Sequence, residues 1–223
     1  MDKNRCTHHR TLRIHSQTVT AVSIEQKRRV AREAATLLYF GAEKEYKQAK
    51  QRAAETLGTH FLPSNLEVAL ELDKVAEENE GEHRKVRLVE MRTKALQVMK
   101  LLSSFCPVLI GSVWRGTIKQ GSDIDIAVYT DTPDSVLEKL KAGDVKISRT
   151  QWTTVNKRGV TLESYHIHAK TSGGHSLEVT VRSSEEAGKE RRCETFGDEI
   201  RGLSIAQLEK VLETHPTKQF VPH

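Results

Sequence analysis

No apolar run in this 223-residue chain approaches the ~20 residues that a membrane-crossing helix needs. Cysteine is scarce: Cys6, Cys106 and Cys193 stand far apart with no Cys-x-x-Cys pair. That spacing excludes a disulfide framework and a zinc-finger arrangement, and a reducing cytoplasm is the expected compartment. Aromatic residues are only 5% of the chain, and no stripe interleaves them with cations for stacking single-stranded bases. The stretch from Met1 to Gln17 is basic and rich in histidine but has no apolar core, so it reads as no secretory signal. His8, His9 and His15 read as part of a solvated tail. What remains is an ordinary soluble composition with a net charge of +5, which permits a polyanionic partner without requiring one.

The informative stretch is Ile110-Gly111-Ser112-Val113-Trp114-Arg115, followed by Ser122-Asp123-Ile124-Asp125-Ile126-Ala127-Val128-Tyr129. The second segment is apolar and partly β-branched, so it predicts a buried strand that begins near the two aspartates. Alternation puts both carboxylates on one face, with Cα atoms about 6.6 Å apart. Two like charges beside apolar residues are costly unless something positive lies between them, and a hard divalent cation suits carboxylate oxygens. Pro107 to Ile110 reads as a short strand ending at Gly111, where the backbone can turn tightly. Ser112 is expected to cap a short helix whose free N–H groups attract an anion. Phosphate donors beside metal ligands suit a Mg²⁺–nucleoside triphosphate. A lone Asp-x-Asp is usually a solvated strand edge, and a lone Gly-Ser turn means little; the order and spacing together carry the reading.

This pattern resembles the signature of the DNA polymerase beta-like nucleotidyltransferase superfamily, in particular its archaeal minimal nucleotidyltransferases. The resemblance covers roughly residues 82–185. It implies an α+β fold, a mixed or antiparallel sheet flanked by helices, here with an N-terminal helical extension. It also implies a third carboxylate on a neighbouring strand. Tyr165 to Lys170 and Ser176 to Val181 read as a hairpin around Gly173-Gly174, and Glu178 falls at the implied position. The family more often has Asp there, which leaves open whether Glu178 is a ligand or a base. Glu163 is the rival, ranked second. By the same resemblance Asp123, Asp125 and Glu178 are catalytic and hold Mg²⁺ or Mn²⁺, while Gly111, Ser112, Arg115 and Ser122 bind the nucleotide. Lys119 is a further cation for the leaving pyrophosphate, and a surface helix position is the competing reading of Arg115. His166, His168 and His175 read as sheet-surface residues, with a general-base role for one of them the lesser option.

Four segments are expected: a flexible tail over 1–22, a helical extension over 23–81, the nucleotidyltransferase domain over 82–215, and a loose tail over 216–223. Ser23 and Gln26 open a helical pattern that runs without proline to Leu57. Pro63-Ser64-Asn65 starts a second helix, and the acidic run Glu77 to Glu82 is the candidate boundary. A third helix, about His83 to Ser104, presents Val86, Val89, Leu96, Met99 and Leu102 inward. Strands are expected over 145–155 and 160–170 with a turn at 156–159, then a helix from Glu185 to about Phe196 and another from Ser204 to Glu213.

The activity implied is transfer of a nucleoside monophosphate from a triphosphate to an acceptor hydroxyl, RNA or protein being favoured. The alternatives are a small-molecule nucleotidyltransferase and a non-catalytic antitoxin-like binding module. No C-terminal RNA-binding domain of the CCA-adding kind is recognisable, and no membrane partner is expected.

Overall fold

The computed structural model describes residues 7–157 and 160–222. They divide into two units, residues 1–75 and 76–223. No helix among the described residues is long and apolar enough to cross a membrane.

The first unit holds α1 (Thr7–Tyr39), α2 (Tyr46–Thr56) and most of α3 (Asn65–Glu80). Val30, Ala31, Ala34, Ala35, Leu38, Ala49, Ala53 and Val68 are its buried small and branched residues. Two expectations change here. Helix α1 starts at Thr7, inside the segment read as a flexible tail, and Met1 to Cys6 lie outside the described residues. The single helix expected from Ser23 to Leu57 is broken between Tyr39 and Tyr46. Gly41 adopts φ +72°, the left-handed conformation that ends helices and that glycine takes without a Cβ penalty. The start of α3 is a closed capping box: Glu67 N–H donates to Ser64 Oγ at 3.1 Å, and Ser64 N–H donates to the Glu67 carboxylate at 2.6 Å.

The second unit begins within the last turns of α3. Arg84 donates to Glu77 at 3.0 Å, Gln120 N–H donates to Glu80 at 2.8 Å, and Arg87 also pairs with Glu80. The acidic run read as a boundary therefore supplies partners to this unit. Next come α4 (Glu82–Leu101), β1 (Val108–Ile110), α5 (Gly111–Arg115), β2 (Ile124–Tyr129), α6 (Pro133–Ala142), β3 (Val145–Lys157), β4 (Val160–Thr171), β5 (Ser176–Arg182) and α7 (Ile205–Thr214). The expected turn at 156–159 includes Arg158 and Gly159, which lie outside the described residues.

The strands form one five-stranded mixed sheet in the order β1-β2-β5-β4-β3. Only β2 and β5 run parallel; the other neighbours are antiparallel. Strict alternation sorts the strands into two faces. Ile124, Ile126, Val128, Ile167, Ala169, Leu177, Val179 and Val181 belong to a buried core with Leu88, Met91, Met99, Leu102, Val113, Val136, Leu140 and Leu208 of the helices. Asp123, Asp125, Glu178, His166 and His168 occupy the opposite face by the same alternation.

Helix α4 and its C-cap keep Met99 and Leu102 inward as expected, but the rest of the expected inner face is corrected. Val86 is 58% exposed, while Leu88, Met91, Arg92, Ala95, Val98 and Met99 are buried. A hydropathy pattern places an arginine outward, and the fully buried Arg92 breaks that rule. The helix expected over 185–196 does not form; a 3₁₀ turn at Ser184–Glu186 takes its place. Glu186 accepts from Arg191 at 2.5 Å. Residues five apart on an α-helix point about 140° apart, so that contact is incompatible with helix. The tail expected to be loose is held: Pro216 O and Lys218 O accept from Arg92 at 2.6 and 2.8 Å, and Phe220 N–H donates to Arg115 O at 2.9 Å.

Candidate nucleotidyl-transfer site

One rung of the sheet assembles the site. Ile110 pairs with Asp125, Asp125 with Glu178, Glu178 with His168, and His168 with Arg149. The two acids thus lie on adjacent strands at the same level, and Asp123 precedes them on the same face. Glu163 pairs with Thr154 on the other face and is exposed, so the register brings Glu178, not Glu163, to the aspartates.

Gly111 closes over this rung. It has φ +71°, and a Cβ there would stand 2.0 Å from Asp125 Oδ2. Only glycine lets the turn pass so close to the carboxylate. Ser112 is not the helix cap. That position falls to Ile110, which offers no side-chain hydrogen bond, and Ser112 lies inside α5 with its carbonyl accepting from Thr117 N–H at 3.0 Å. The Ser122 hydroxyl accepts from Lys119 N–H at 2.9 Å, and Ser122 N–H donates to Lys119 O at 3.0 Å. This closes the loop before Asp123 and uses one acceptor lone pair of the hydroxyl.

Arg115 departs most from expectation. Its guanidinium is 4% exposed and donates to both oxygens of Asp198, at 2.6 and 3.1 Å. It donates to Phe220 O at 3.0 Å and is flanked by the rings of Trp114 and Phe196, at 4.5 and 4.2 Å to their centroids. Arg115 is thus not the surface helix residue of the competing reading: it is buried and paired with Asp198. Its Nη1 and Nη2 are engaged by Asp198 and the C-terminal segment, so the group is held in a buried network on that side.

The electrostatics of the acids are unbalanced. Burial, then Glu178, then Asp123 push the Asp125 carboxyl up to about 7. Asp123 is also raised, first by burial and then by Glu178, against the opposing pull of His168 and Lys119. Among the described residues no three His, Cys, Asp or Glu side chains already converge as a metal cage. The residues nevertheless fit Mg²⁺ or Mn²⁺. Mg²⁺ is typically held by one or two carboxylates and completes its shell with water and phosphate oxygens. The repulsion that raises Asp125 is what a bound cation would relieve.

Sequence reasoning underrated His166 and His168. His166 Nδ1 lies 2.5 Å from Glu178 Oε1, and His168 Nδ1 lies 4.0 Å from Glu178 Oε2. Parity was the available signal: positions 166 and 168 alternate with the core residues Ile167 and Ala169, and Glu178 alternates with Leu177 and Val179. His175 belongs elsewhere, 3.9 Å from Glu90.

Residues 106–201 match the model of the nucleotidyltransferase domain family. That match covers less than half of the chain. The matched span includes β1, the Gly-Ser turn, the aspartate pair and β5 with Glu178. Among solved structures, the GLD-2/RNP-8 complex is 11% identical over 54% of this chain and 40% of that chain, with a TM-score of 0.32. The Cid1 poly(U) polymerase with MgGTP bound is 17% identical over 52% of this chain and 38% of that one, with a TM-score of 0.28. A second Cid1 structure, described with its RNA terminal uridylyl transferase activity, is 17% identical over 53% and 38%, again with a TM-score of 0.28. This chain thus spans about two fifths of the length of the solved chains it matches. No curated protein matches it.

Proposed function

We propose that this nucleotidyltransferase domain moves a nucleoside monophosphate from a Mg²⁺- or Mn²⁺-bound triphosphate to an acceptor hydroxyl, and that the acceptor is RNA. The observation that carries this is the rung itself: Asp125 paired with Glu178, packed under Gly111, and short of positive charge. The acceptor oxygen forms a bond to the α-phosphorus, the bond from the α-phosphorus to the bridging oxygen breaks, pyrophosphate leaves, and the acceptor proton passes to solvent or a carboxylate. The metal, when bound, neutralises charge developing on the phosphoryl oxygens. Asp123, Asp125 and Glu178 are the residues that hold it. Gly111 lets its backbone pass beside the Asp125 carboxylate, and Lys119, near Asp123, is the cation best placed to offset the leaving group's charge.

The remaining nucleotide contacts are then proposed for the Ser112 backbone N–H and the Ser122 hydroxyl hydrogen, because Ser122 N–H already donates to Lys119 O while its Oγ only accepts within the loop. RNA is favoured by the far half of the same sheet face. Lys146 and Lys170 are exposed and directly opposite each other across β3 and β4, with Arg149 next along. Like charges in direct cross-strand register are destabilising, and a phosphate backbone relieves them. A protein hydroxyl finds no comparable support.

The test presents ATP, CTP, GTP and UTP, each labelled at the α-phosphate, to the full chain with Mg²⁺ or Mn²⁺, total cellular RNA and lysate protein. Label is expected in RNA. Label in protein or in small molecules instead moves the acceptor class. A folded protein that neither transfers nor binds any of the four triphosphates overturns the reading.

A further inference from the structure

Glu178 is held from behind by its neighbours on β4. Glu178 is a carboxylate that accepts, so His166 Nδ1 is the donor in their 2.5 Å contact. His166 Nε2 then accepts, and the Ser164 hydroxyl lies 2.9 Å from it. Ser164, His166 and Glu178 thus form one hydrogen-bonded line in which Ser164 fixes the imidazole tautomer and the imidazole fixes one carboxylate oxygen. His168 repeats the arrangement more loosely. Arg149 can only donate, and its Nη2 lies 3.2 Å from His168 Nε2, so that nitrogen accepts and the proton lies on Nδ1. That Nδ1 faces Glu178 Oε2 at 4.0 Å, too far for a hydrogen bond. Oε1 is therefore taken, and Oε2 has no hydrogen-bond partner among the described residues.

We propose that His166 is a positioning residue of the transfer site: it holds Glu178 Oε1 and leaves Oε2 as the oxygen that completes the aspartate pair. This rests on the proposed nucleotidyl transfer. The longer Glu178 side chain, where the family more often has Asp, has one more rotatable bond than Asp. A donor on one oxygen removes that freedom, as second-shell donors do for metal-ligating carboxylates.

The test reads metal binding rather than turnover. Mn²⁺ is titrated into the full chain in the presence of tripolyphosphate and followed by the loss of its free-ion electron paramagnetic resonance signal. His166→Ala, which loses the donor, is expected to weaken Mn²⁺ about 10- to 100-fold with an unchanged melting temperature. His166→Asn places an amide N–H near the original Nδ1 and is expected to recover most of the affinity. Ser164→Ala, which only frees the tautomer, is expected to show a smaller loss and covers the case in which His166→Ala fails to fold. Wild-type affinity in His166→Ala, or a folded His166→Asn as weak as His166→Ala, overturns the positioning role alone. A folded wild-type chain that binds no Mn²⁺ under these conditions overturns nucleotidyl transfer and this inference with it.

Discussion

Arg92 is fully buried, and its guanidinium donates to Val113 O, Trp114 O, Pro216 O and Lys218 O at 3.1, 2.9, 2.6 and 2.8 Å. Burial lowers its pKa to about 10, far above neutrality, so it stays charged. Arg115 is closed in the same way by Asp198, Phe220 and two aromatic rings. Asp125, in the same unit, is treated oppositely: its neighbours Glu178 and Asp123 carry its own sign, and both push its pKa up. A buried charge whose partners the fold supplies is structural. A cluster of like charges that the fold leaves uncompensated is a site waiting for a ligand of opposite charge. The two arginines meet the ends of α5, and the acid cluster meets its start at Gly111, so one short helix joins the closed cluster to the open one.

The contrast is broken most sharply at Asp125. Asp125→Asn keeps the shape and removes the charge, so transfer of α-phosphate label is expected to fall by about 10³-fold, some 4 kcal/mol at 1.36 kcal/mol per decade. The folded fraction should be unaffected. Activity within tenfold of wild type, measured at equal folded concentration, would place the chemistry elsewhere.

Arg92→Leu is the complementary experiment. Four carbonyls lose their donor, and removing a buried charged partner costs about 3–5 kcal/mol. At roughly 2–4 °C per kcal/mol for a chain of this size, the melting temperature should drop by about 10 °C. The C-terminal segment should also become open to proteases. A drop under about 2 °C would mean that the carbonyls find water and that the arginine is not what closes this cluster.

Gly111→Ala tests the contact between turn and carboxylate. The left-handed φ costs about 1–3 kcal/mol with a side chain present, and the new Cβ must displace Asp125. A melting temperature a few degrees lower is expected, together with about tenfold weaker Mn²⁺ binding with tripolyphosphate. Unchanged metal affinity would show that the turn merely passes by.

The acid pair and the Gly-Ser turn were legible because they lie within one short stretch of sequence, where strand alternation alone aligns the carboxylates. Glu178 was legible only through the family resemblance, which implies a third carboxylate on that hairpin. The role of Arg115 was not, because Asp198 and Phe220 are 83 and 105 residues away in sequence. Arg92 misled the reading of α4 for the same reason: its carbonyl partners lie up to 126 residues away, and without them a buried arginine has no sequence signal. The break at Gly41 was missed because helical periodicity resumes after it. His166 was visible by parity but undervalued, because a histidine on an open sheet face acquires meaning only once a carboxylate of the next strand is found within hydrogen-bond distance.

The smallest expected effect is the pH dependence of the ligand-free protein, and it isolates the electrostatics from the chemistry. The Asp125 carboxyl titrates at about 7 in the folded chain and at about 3.9 when unfolded. Between those values the folded state binds the proton that the unfolded state has released. Stability is therefore fully present below about pH 4 and is lost progressively as the pH rises through 7. Asp125→Asn is uncharged throughout and escapes that loss. The two proteins should melt closest together at pH 5, and the gap should widen in favour of Asp125→Asn up to pH 8. Water reaching the exposed Asp123 beside it limits the gain to about 1 kcal/mol, a shift of about 2–4 °C. Adding Mg²⁺ with ATP at pH 8 should reverse the order by stabilising the wild type and leaving Asp125→Asn where it was. Melting curves from pH 5 to 8, with and without Mg²⁺–ATP, give the answer. If the two proteins stay equally stable at every pH, Asp125 is already compensated by the fold and belongs with Arg92 rather than opposite it.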